Sequence, residues 1–371
     1  MGNFKQLGVK PNYIKAMAEI GIKEPTEIQE KAIPFLLEMS FDMVVQSPTG
    51  TGKTIAFGLP LLEKVDPKKP HVQGLVLTPT RELGIQVSKH LFKLTKYLPE
   101  QIYAEAVYGG EHILKQIKAL KRPTQIIVAT PGRLRDLCQR GEVDLSKVKT
   151  LVLDEADEML SMGFQEEVDF LMGQCHKQRD NWLFSATMPK EILDLIKTHF
   201  RKGTKRIQVE KSNVVNKNIE HRYLVCEIED KVKIILNFLR SRPGDRGVIF
   251  CRTKKGAQNL ALQLQERKIK TDSIHGDLQQ KERDKVMRAF VNKKIDILIA
   301  TDVAARGIDV KDLGFVIHHQ LPEKEEFYTH RAGRTARAGK DGLSLALITP
   351  SETNYIIGLA KRLGIMIRPL K

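Results

Sequence analysis

Short aliphatic runs recur along the chain: Met43-Val44-Val45, Leu75-Val76-Leu77, Ile126-Ile127-Val128, Leu151-Val152-Leu153, Val248-Ile249-Phe250 and Ile297-Leu298-Ile299. Longer amphipathic stretches separate them. A run that is apolar on successive residues lacks the alternation of a half-exposed strand. It predicts a strand covered on both faces, and covering both faces of a parallel sheet takes helices. The pattern predicts an α/β protein.

The pattern also repeats. Leu75–Thr78 leads into a helical stretch around Glu82–Leu94, and Ile126–Thr130 follows. At nearly the same interval in the second part, Val248–Cys251 leads into Gly256–Leu264 and Ile297–Thr301 follows. Both late strands end in Ala-Thr, at Ala129-Thr130 and Ala300-Thr301. Two copies of one α/β unit are expected, over residues 1–210 and 218–371. The polar stretch at 211–217 lacks apolar periodicity and reads as the linker.

Composition narrows the class. A chain of 371 residues, 41% hydrophobic and 29% charged, has material for two ordinary cores and excludes wholesale disorder. No stretch approaches the ~18 apolar residues that span a bilayer. Met1–Gln6 has no apolar signal core, and Gln6 stands where myristoylation would want Ser or Thr. A cytoplasmic protein with no membrane partner is expected. Cys138, Cys175, Cys226 and Cys251 form no Cys-x-x-Cys pair, so they read as small buried hydrophobes.

Charge adds a direction. The formal net charge is +16, and its distribution is uneven. Residues 1–210 carry 30 basic and 26 acidic residues, whereas residues 211–371 carry 31 and 19. An electrostatic face for phosphate chains is expected in the second part.

The chemistry-bearing residues follow the strands. Ser47-Pro48-Thr49-Gly50-Thr51-Gly52-Lys53-Thr54 lies between a strand and a helix. Its glycines let the backbone curl inward around a phosphate, Lys53 adds a point charge, and Thr54 offers a hydroxyl for Mg²⁺. Leu151-Val152-Leu153 delivers Asp154-Glu155-Ala156-Asp157 at a strand's carboxyl end, where open α/β sheets place ligands. One carboxylate there can hold Mg²⁺ while its neighbour orients and deprotonates water. Thr78-Pro79-Thr80-Arg81-Glu82, Thr130-Pro131-Gly132-Arg133 and Thr301-Asp302-Val303-Ala304-Ala305-Arg306 each follow a strand and open an expected helix. Such helix starts present free N–H donors, and three of them with arginines nearby suggest a track for a phosphate backbone. His330 through Arg337 packs three arginines into eight residues. Arg334 and Arg337, three apart on a helical turn, are expected to converge on one anion as arginine fingers.

Assembled, these motifs resemble a DEAD-box RNA helicase of bacterial type from about Phe4 to the C-terminus. Gly21-Ile22 through Pro25-Thr26-Glu27-Ile28-Gln29 resembles the family's Q motif, Ser185-Ala186-Thr187 its coupling motif, and His275-Gly276-Asp277 with Gln280 and Arg283 its RNA-contacting stretch. The resemblance implies two tandem RecA-like domains, each a mostly parallel sheet flanked by helices. It implies an RNA-stimulated ATP hydrolase that closes both domains over ATP, Mg²⁺ and single-stranded RNA, locally unwinding duplexes. Gln29 and Phe4 would contact the adenine, Thr49 through Thr54 the phosphates, and Asp309 the nucleotide from the second domain. Thr54 and Asp154 would hold the metal, and Glu155 would be the general base. Lys53, Arg334 and Arg337 would supply the catalytic cations. Thr80, Arg81, Gly110, Thr130, Arg133, Arg252, Gly276 and Thr301 would line the RNA path, with Ser185 and Thr187 coupling the two activities.

Three departures from the family pattern stand out: Ser47-Pro48 where Ala followed by a polar residue is commoner, Gly84 where Ala is more frequent after Arg81-Glu82-Leu83, and Ala332 and Ala336 where the last motif usually has Ile and Gly. None removes a charged or hydrogen-bonding group. Two rival readings remain open at this point: a DNA helicase on the same engine, and an ATP-dependent RNA clamp that nucleates an assembly. Ribosomal or RNA-decay assemblies are the partner classes that the resemblance leaves unranked.

Overall fold

The computed structural model describes residues 3–38, 40–48, 50–209, 218–305, 313–336 and 341–370. The chain divides into two compact units, Met1–Glu210 and Lys211–Lys371. Each is built on one seven-stranded sheet in which every pairing is parallel.

In the first unit the strands are β1 (Met43–Gln46), β2 (Gly74–Leu77), β3 (Ala104–Val107), β4 (Ile126–Ala129), β5 (Thr150–Asp154), β6 (Asp180–Ser185) and β7 (Lys205–Gln208). Their order in the sheet is β3-β4-β2-β5-β6-β1-β7. In the second unit they are β8 (Ile219–Val225), β9 (Gly247–Phe250), β10 (Thr271–Ile274), β11 (Ile297–Ala300), β12 (Phe315–His318), β13 (Gly342–Ile348) and β14 (Ile367–Pro369). Their order is β10-β11-β9-β12-β13-β8-β14. Adding seven to each strand number of the first sheet reproduces the second. The internal repeat read from the Ala-Thr strand ends is a repeat of topology: β2 matches β9, and β4 matches β11.

Both faces of each sheet are covered, which is why the strands read as unbroken apolar runs. Val45, Val76, Val128, Val152 and Trp182 belong to one core of the first unit. Their strand neighbours Val44, Leu75, Ile127, Leu151 and Leu183 belong to the other. The second unit alternates likewise, with Ile249, Ile299 and Ile317 in one core and Val248, Leu298 and Val316 in the other. The helices expected after β2 and β9 span Arg81–Leu94 and Lys254–Glu266. Thr80 and Thr253 cap them, accepting from the backbone N–H of Leu83 and Gly256 at 3.3 and 3.0 Å. Among the described residues no helix is long and apolar enough to cross a membrane.

Two expectations change. Of the four cysteines, Cys175 and Cys251 are buried but Cys138 and Cys226 are only half-buried. The helical turn expected around Arg334 is absent: the helix Glu325–Ala332 ends with Gly333 at its C-cap, and Arg334 lies in the turn beyond. Gly333 is a poor helix residue, and the next residues leave the helical region, Ala336 at φ +56°. Arg337 lies outside the described residues.

The second unit contains a stack of buried rings. His318 lies 4.5 Å from Tyr328 between ring centroids, and His221 lies 5.7 Å from Tyr328 on its own β8. Ser344 Oγ sits 3.0 Å from His318 Nε2, and Tyr328 Oη 3.2 Å from His221 Nδ1. Burial pushes the His221 imidazole down to about 4 and His319 to about 4, and holds His318 well below its ordinary range. These rings are neutral when folded, whereas the unfolded chain takes up protons near 6.5. Their contribution to stability is therefore complete above about pH 6.5 and is lost as pH falls toward 4. His221→Phe keeps a ring against Tyr328 but removes one titrating group. Its stability should fall less steeply in that window, by up to about 1.4 kcal/mol per pH unit. Denaturant melts across the pH range check this, and an unchanged slope would refute it.

Candidate functional site

After β1 the chain passes through Ser47–Gly52 and enters the helix Lys53–Glu63. Gly50 and Gly52 adopt φ of +82° and +92°, the left-handed region that glycine enters without steric cost. Space is also tight at Gly52, where a Cβ would stand 2.3 Å from Gln29 Nε2. Gln29 is committed to this loop: its Nε2 donates to the Gly52 carbonyl at 3.0 Å and its Oε1 accepts from Thr26 N at 3.0 Å. Thr26 Oγ1 donates to the Thr51 carbonyl at 2.7 Å. Phe4 is buried in the same core as Tyr13 and Ile28. The helix Glu27–Glu38 thus clamps the loop from behind.

Within the loop, Ser47 Oγ and Thr51 Oγ1 are 2.7 Å apart, and Thr51 Oγ1 donates to the Pro48 carbonyl at 2.9 Å. Lys53 is buried, with Nζ donating to the Ser47 carbonyl at 3.1 Å. Thr54 is the second residue of the helix. Thr49 lies outside the described residues.

Asp154 closes β5 and is buried. Its Oδ1 has no hydrogen-bond partner among the described residues. Burial pushes its carboxyl up to about 7, with Lys53 opposing and Glu155 adding to the rise. A buried carboxylate oxygen without a hydrogen-bond partner, beside a glycine-bearing loop and a lysine, is an arrangement that suits a bound cation. Glu155 takes φ +51°, ψ +50°, a left-handed conformation that costs a non-glycine residue roughly 1–2 kcal/mol. Such strain clusters where side-chain direction matters.

Asp157 joins this turn to β6. Its Oδ2 accepts from Thr187 N at 2.9 Å and Thr187 Oγ1 at 2.8 Å. Its own N–H donates to Ser185 Oγ at 3.2 Å, and Ser185 Oγ donates to the Thr187 carbonyl at 2.7 Å. The Ser185 carbonyl accepts from Ser47 N at 2.9 Å. Phosphate loop, acidic turn and Ser185–Thr187 therefore form one hydrogen-bonded assembly at the ends of β1, β5 and β6.

The other expected residues of this unit sit at the ends of β2, β3 and β4. Thr80 caps the helix after β2, and the Arg81 guanidinium lies 4.6 Å from the Tyr108 ring centroid. Gly110 follows β3 at φ +80°. Thr130 precedes the helix Pro131–Gln139 without a side-chain cap bond. Arg133 donates through Nη1 and Nη2 to the Glu111 carbonyl at 3.0 and 3.1 Å, and through Nη1 to Gln116 Oε1 at 3.1 Å.

In the second unit Arg252, Gly276 and Thr301 follow β9, β10 and β11, the counterparts of β2, β3 and β4. The two candidate tracks thus occupy equivalent edges of the two copies. Arg331 is 1% exposed and pairs with Asp302, at 2.5 Å from Nε and 2.7 Å from Nη2. Arg334 donates its N–H to the Arg331 carbonyl at 3.0 Å. Asp309 lies outside the described residues.

Comparison with known proteins agrees with this layout. Residues 26–195 match the DEAD/DEAH box helicase family, and residues 230–339 match the helicase conserved C-terminal domain. The chain is 41% identical to the ATP-dependent RNA helicase CshA of Limosilactobacillus reuteri, over 99% of this chain and 73% of that one. It belongs to the DEAD-box helicase family. CshA of Listeria monocytogenes is 40% identical over 96% of this chain and 68% of its own. Among solved structures, Saccharomyces cerevisiae Dbp5 bound to RNA and ADP BeF3 matches with TM-score 0.90 at 29% identity, covering 100% of this chain and 96% of that one. Mss116p bound to ssRNA and AMP-PNP matches with TM-score 0.85 at 25% identity, covering 99% and 78%.

Some residues of this DEAD-box site escaped sequence reasoning. Asp157 was visible as part of the acidic motif, but nothing in its spacing announced that it holds Thr187. Thr26 stands within the quoted Q-motif stretch, yet its bond to Thr51 spans 25 positions. Arg331 reads as one more exposed arginine until its burial is known.

Gly52→Ala should be severe, because the left-handed φ and the Gln29 amide both oppose a Cβ. We expect nucleotide affinity to fall at least tenfold, with overall folding retained because the loop is only one edge of the core. Nucleotide titration by fluorescence checks this, and unchanged affinity would mean that the loop does not hold the phosphates.

Proposed function

We propose that the chain is an ATP-dependent RNA helicase whose two units close over one ATP and one single-stranded RNA, opening short duplexes locally. Residues 1–210 form the ATP-binding unit with its Q motif, 211–217 the linker, and 218–371 the helicase unit. The observation that carries this reading is the Asp157 carboxylate. It ties the acidic turn to Thr187 while Ser185 ties the same strand end to Ser47 of the phosphate loop. A change at the nucleotide thus has a path of hydrogen bonds to Ser185 and Thr187 at the end of β6.

ATP fits the loop: Gly50 and Gly52 take the left-handed φ that lets such a loop curl around a phosphate, and Lys53 would supply the cation. The Gln29 amide and Phe4 serve the adenine side, the amide acting through its grip on the loop. Mg²⁺ fits Asp154, whose Oδ1 is buried and unpartnered, together with the Thr54 hydroxyl. When bound, the ion neutralises phosphate charge. Glu155 orients water and accepts its proton. Arg334 and Arg337 stabilise charge on the transferred phosphoryl group, and Asp309 completes the nucleotide contacts from the second unit. Closure is required because these cations and Lys53 belong to different units.

Thr80, Arg81, Gly110, Thr130 and Arg133 in one unit, and Arg252, Gly276 and Thr301 in the other, form the RNA path. Contacts of this kind read the backbone and carry little sequence information. The excess basic charge of residues 211–371 makes binding salt-sensitive. The cytoplasm, where such substrates are found, is the compartment this reading assigns.

The deciding measurement is ATP hydrolysis with RNA and DNA of matched sequence. Stimulation of at least tenfold by RNA and little by DNA is expected; the reverse order would point to a DNA translocase. Glu155→Gln should bind ATP and RNA normally while losing turnover by ~10²-fold or more, because the water loses its base. Undiminished single-turnover hydrolysis by this variant would remove Glu155 from that role.

A further inference from the structure

The carboxyl edge of the first sheet has two halves: ends of β1, β5 and β6 for nucleotide, and ends of β2, β3 and β4 for RNA. In the second sheet the counterparts of the nucleotide half are β8, β12 and β13, and they hold no phosphate loop. The residues after β8 are Cys226-Glu227-Ile228-Glu229-Asp230, acidic and without glycine. Lys231 opens the next helix, as Lys53 does after β1. Lys231 is 3% exposed, and its Nζ donates to the carbonyls of His319 and Leu347, both at 2.8 Å. Where one copy receives an anion, the other is filled by its own ammonium group.

That lysine anchors the first residue of a bridge, His319-Gln320-Leu321. His319 N donates to the Phe250 carbonyl at 3.0 Å. Arg252 is held by the next two residues: its N–H donates to Gln320 Oε1 at 3.0 Å, and its Nη2 to the Leu321 carbonyl at 3.0 Å. The Gln320 carbonyl accepts from Arg331 Nη1 at 2.8 Å. Arg331 also grips Asp302, the residue after Thr301. Two positions on the RNA path therefore converge on one buried arginine, three residues before Arg334.

We propose that Gln320 is a positioning residue that transmits RNA engagement at Arg252 to Arg331, and through it to the turn carrying Arg334. An RNA phosphate competes with the Leu321 carbonyl for the Arg252 guanidinium. Any resulting shift of Arg252 is felt at Gln320 Oε1, and Gln320's own carbonyl hands it to Arg331. Lys231 fixes the far end, so the bridge moves about one point instead of drifting. This inference rests on the helicase reading above.

The test compares the unsubstituted two-unit chain with Gln320→Ala and Gln320→Glu, measuring hydrolysis with and without polyuridylate, RNA affinity without nucleotide, and thermal melting. Gln320→Ala should lower RNA-stimulated kcat at least tenfold, with hydrolysis in the absence of RNA and nucleotide-free RNA affinity within twofold. Gln320→Glu keeps an acceptor oxygen for the Arg252 N–H and should retain at least half of the stimulation. A purely structural role would lower the melting temperature and both rates together, and that result overturns the proposal. So does full stimulation in Gln320→Ala, or equal loss in both variants. If polyuridylate fails to stimulate the unsubstituted chain, the helicase reading itself has failed.

Discussion

Parallel pairing is the constraint on which the rest of the molecule depends. When all seven strands of a sheet run the same way, every strand delivers its next residue to the same edge, and every helix begins there. Lys53, Thr80, Thr130, Asp154 and Ser185 come from five strands yet share one edge for this reason alone. Both faces of the sheet are then occupied by helices, so the edge is the place left for ligands. The same reasoning applies to Arg252, Gly276 and Thr301 in the second unit.

How legible this was depended on burial. Strands covered on both faces, such as β4 and β11, appear in the sequence as unbroken apolar runs and were read directly. Edge strands were not: β7 is Lys205-Arg206-Ile207-Gln208 with only Ile207 buried, and β3 is half-exposed at three of its four residues. The phosphate loop and acidic turn could be found because their chemistry demands particular residues at close spacing. The contacts joining them were hidden, since Asp157 and Thr187 lie 30 residues apart and their bond is a product of strand order. The three-residue spacing of Arg331, Arg334 and Arg337 suits a helix and says nothing of the turn in which Arg334 lies. Only the chain's departure at Gly333 shows it.

Divergence between the copies is concentrated at the edge. Topology is shared throughout, but Lys53 opens a helix after a glycine-bearing loop and donates to the Ser47 carbonyl, whereas Lys231 follows an acidic stretch without glycine and donates to the carbonyls of His319 and Leu347. Burial lowers the proton affinity of Lys231, and the two hydrogen bonds that its Nζ donates to carbonyls keep the ammonium group solvated by protein. Asp154 is the mirror case, a buried carboxylate raised by desolvation whose Oδ1 has no hydrogen-bond partner among the described residues. A buried charge with its partners in place is satisfied by the fold, and one without them is a candidate ligand site.

The departures from the family pattern can be weighed on the same physical terms. Ser47 Oγ bonds Thr51 Oγ1 and so stiffens the loop it opens. At Gly84 a Cβ would come within 3.1 Å of Thr78 Oγ1, which itself donates toward the carbonyls of Thr80 and Ala129, so the smaller residue spares that hydroxyl. Ala336 is the informative case. Its φ of +56° costs an alanine roughly 1–2 kcal/mol that glycine would not incur. Its methyl group, however, is buried with Ala332 against Ile219, worth about 0.8 kcal/mol, and alanine loses about 0.5–1 kcal/mol less backbone entropy on folding. The opposing contributions nearly cancel. Alanine can therefore replace glycine beside the arginine turn at little net cost, because the neighbouring Ala332 and Ile219 give the added methyl a buried place.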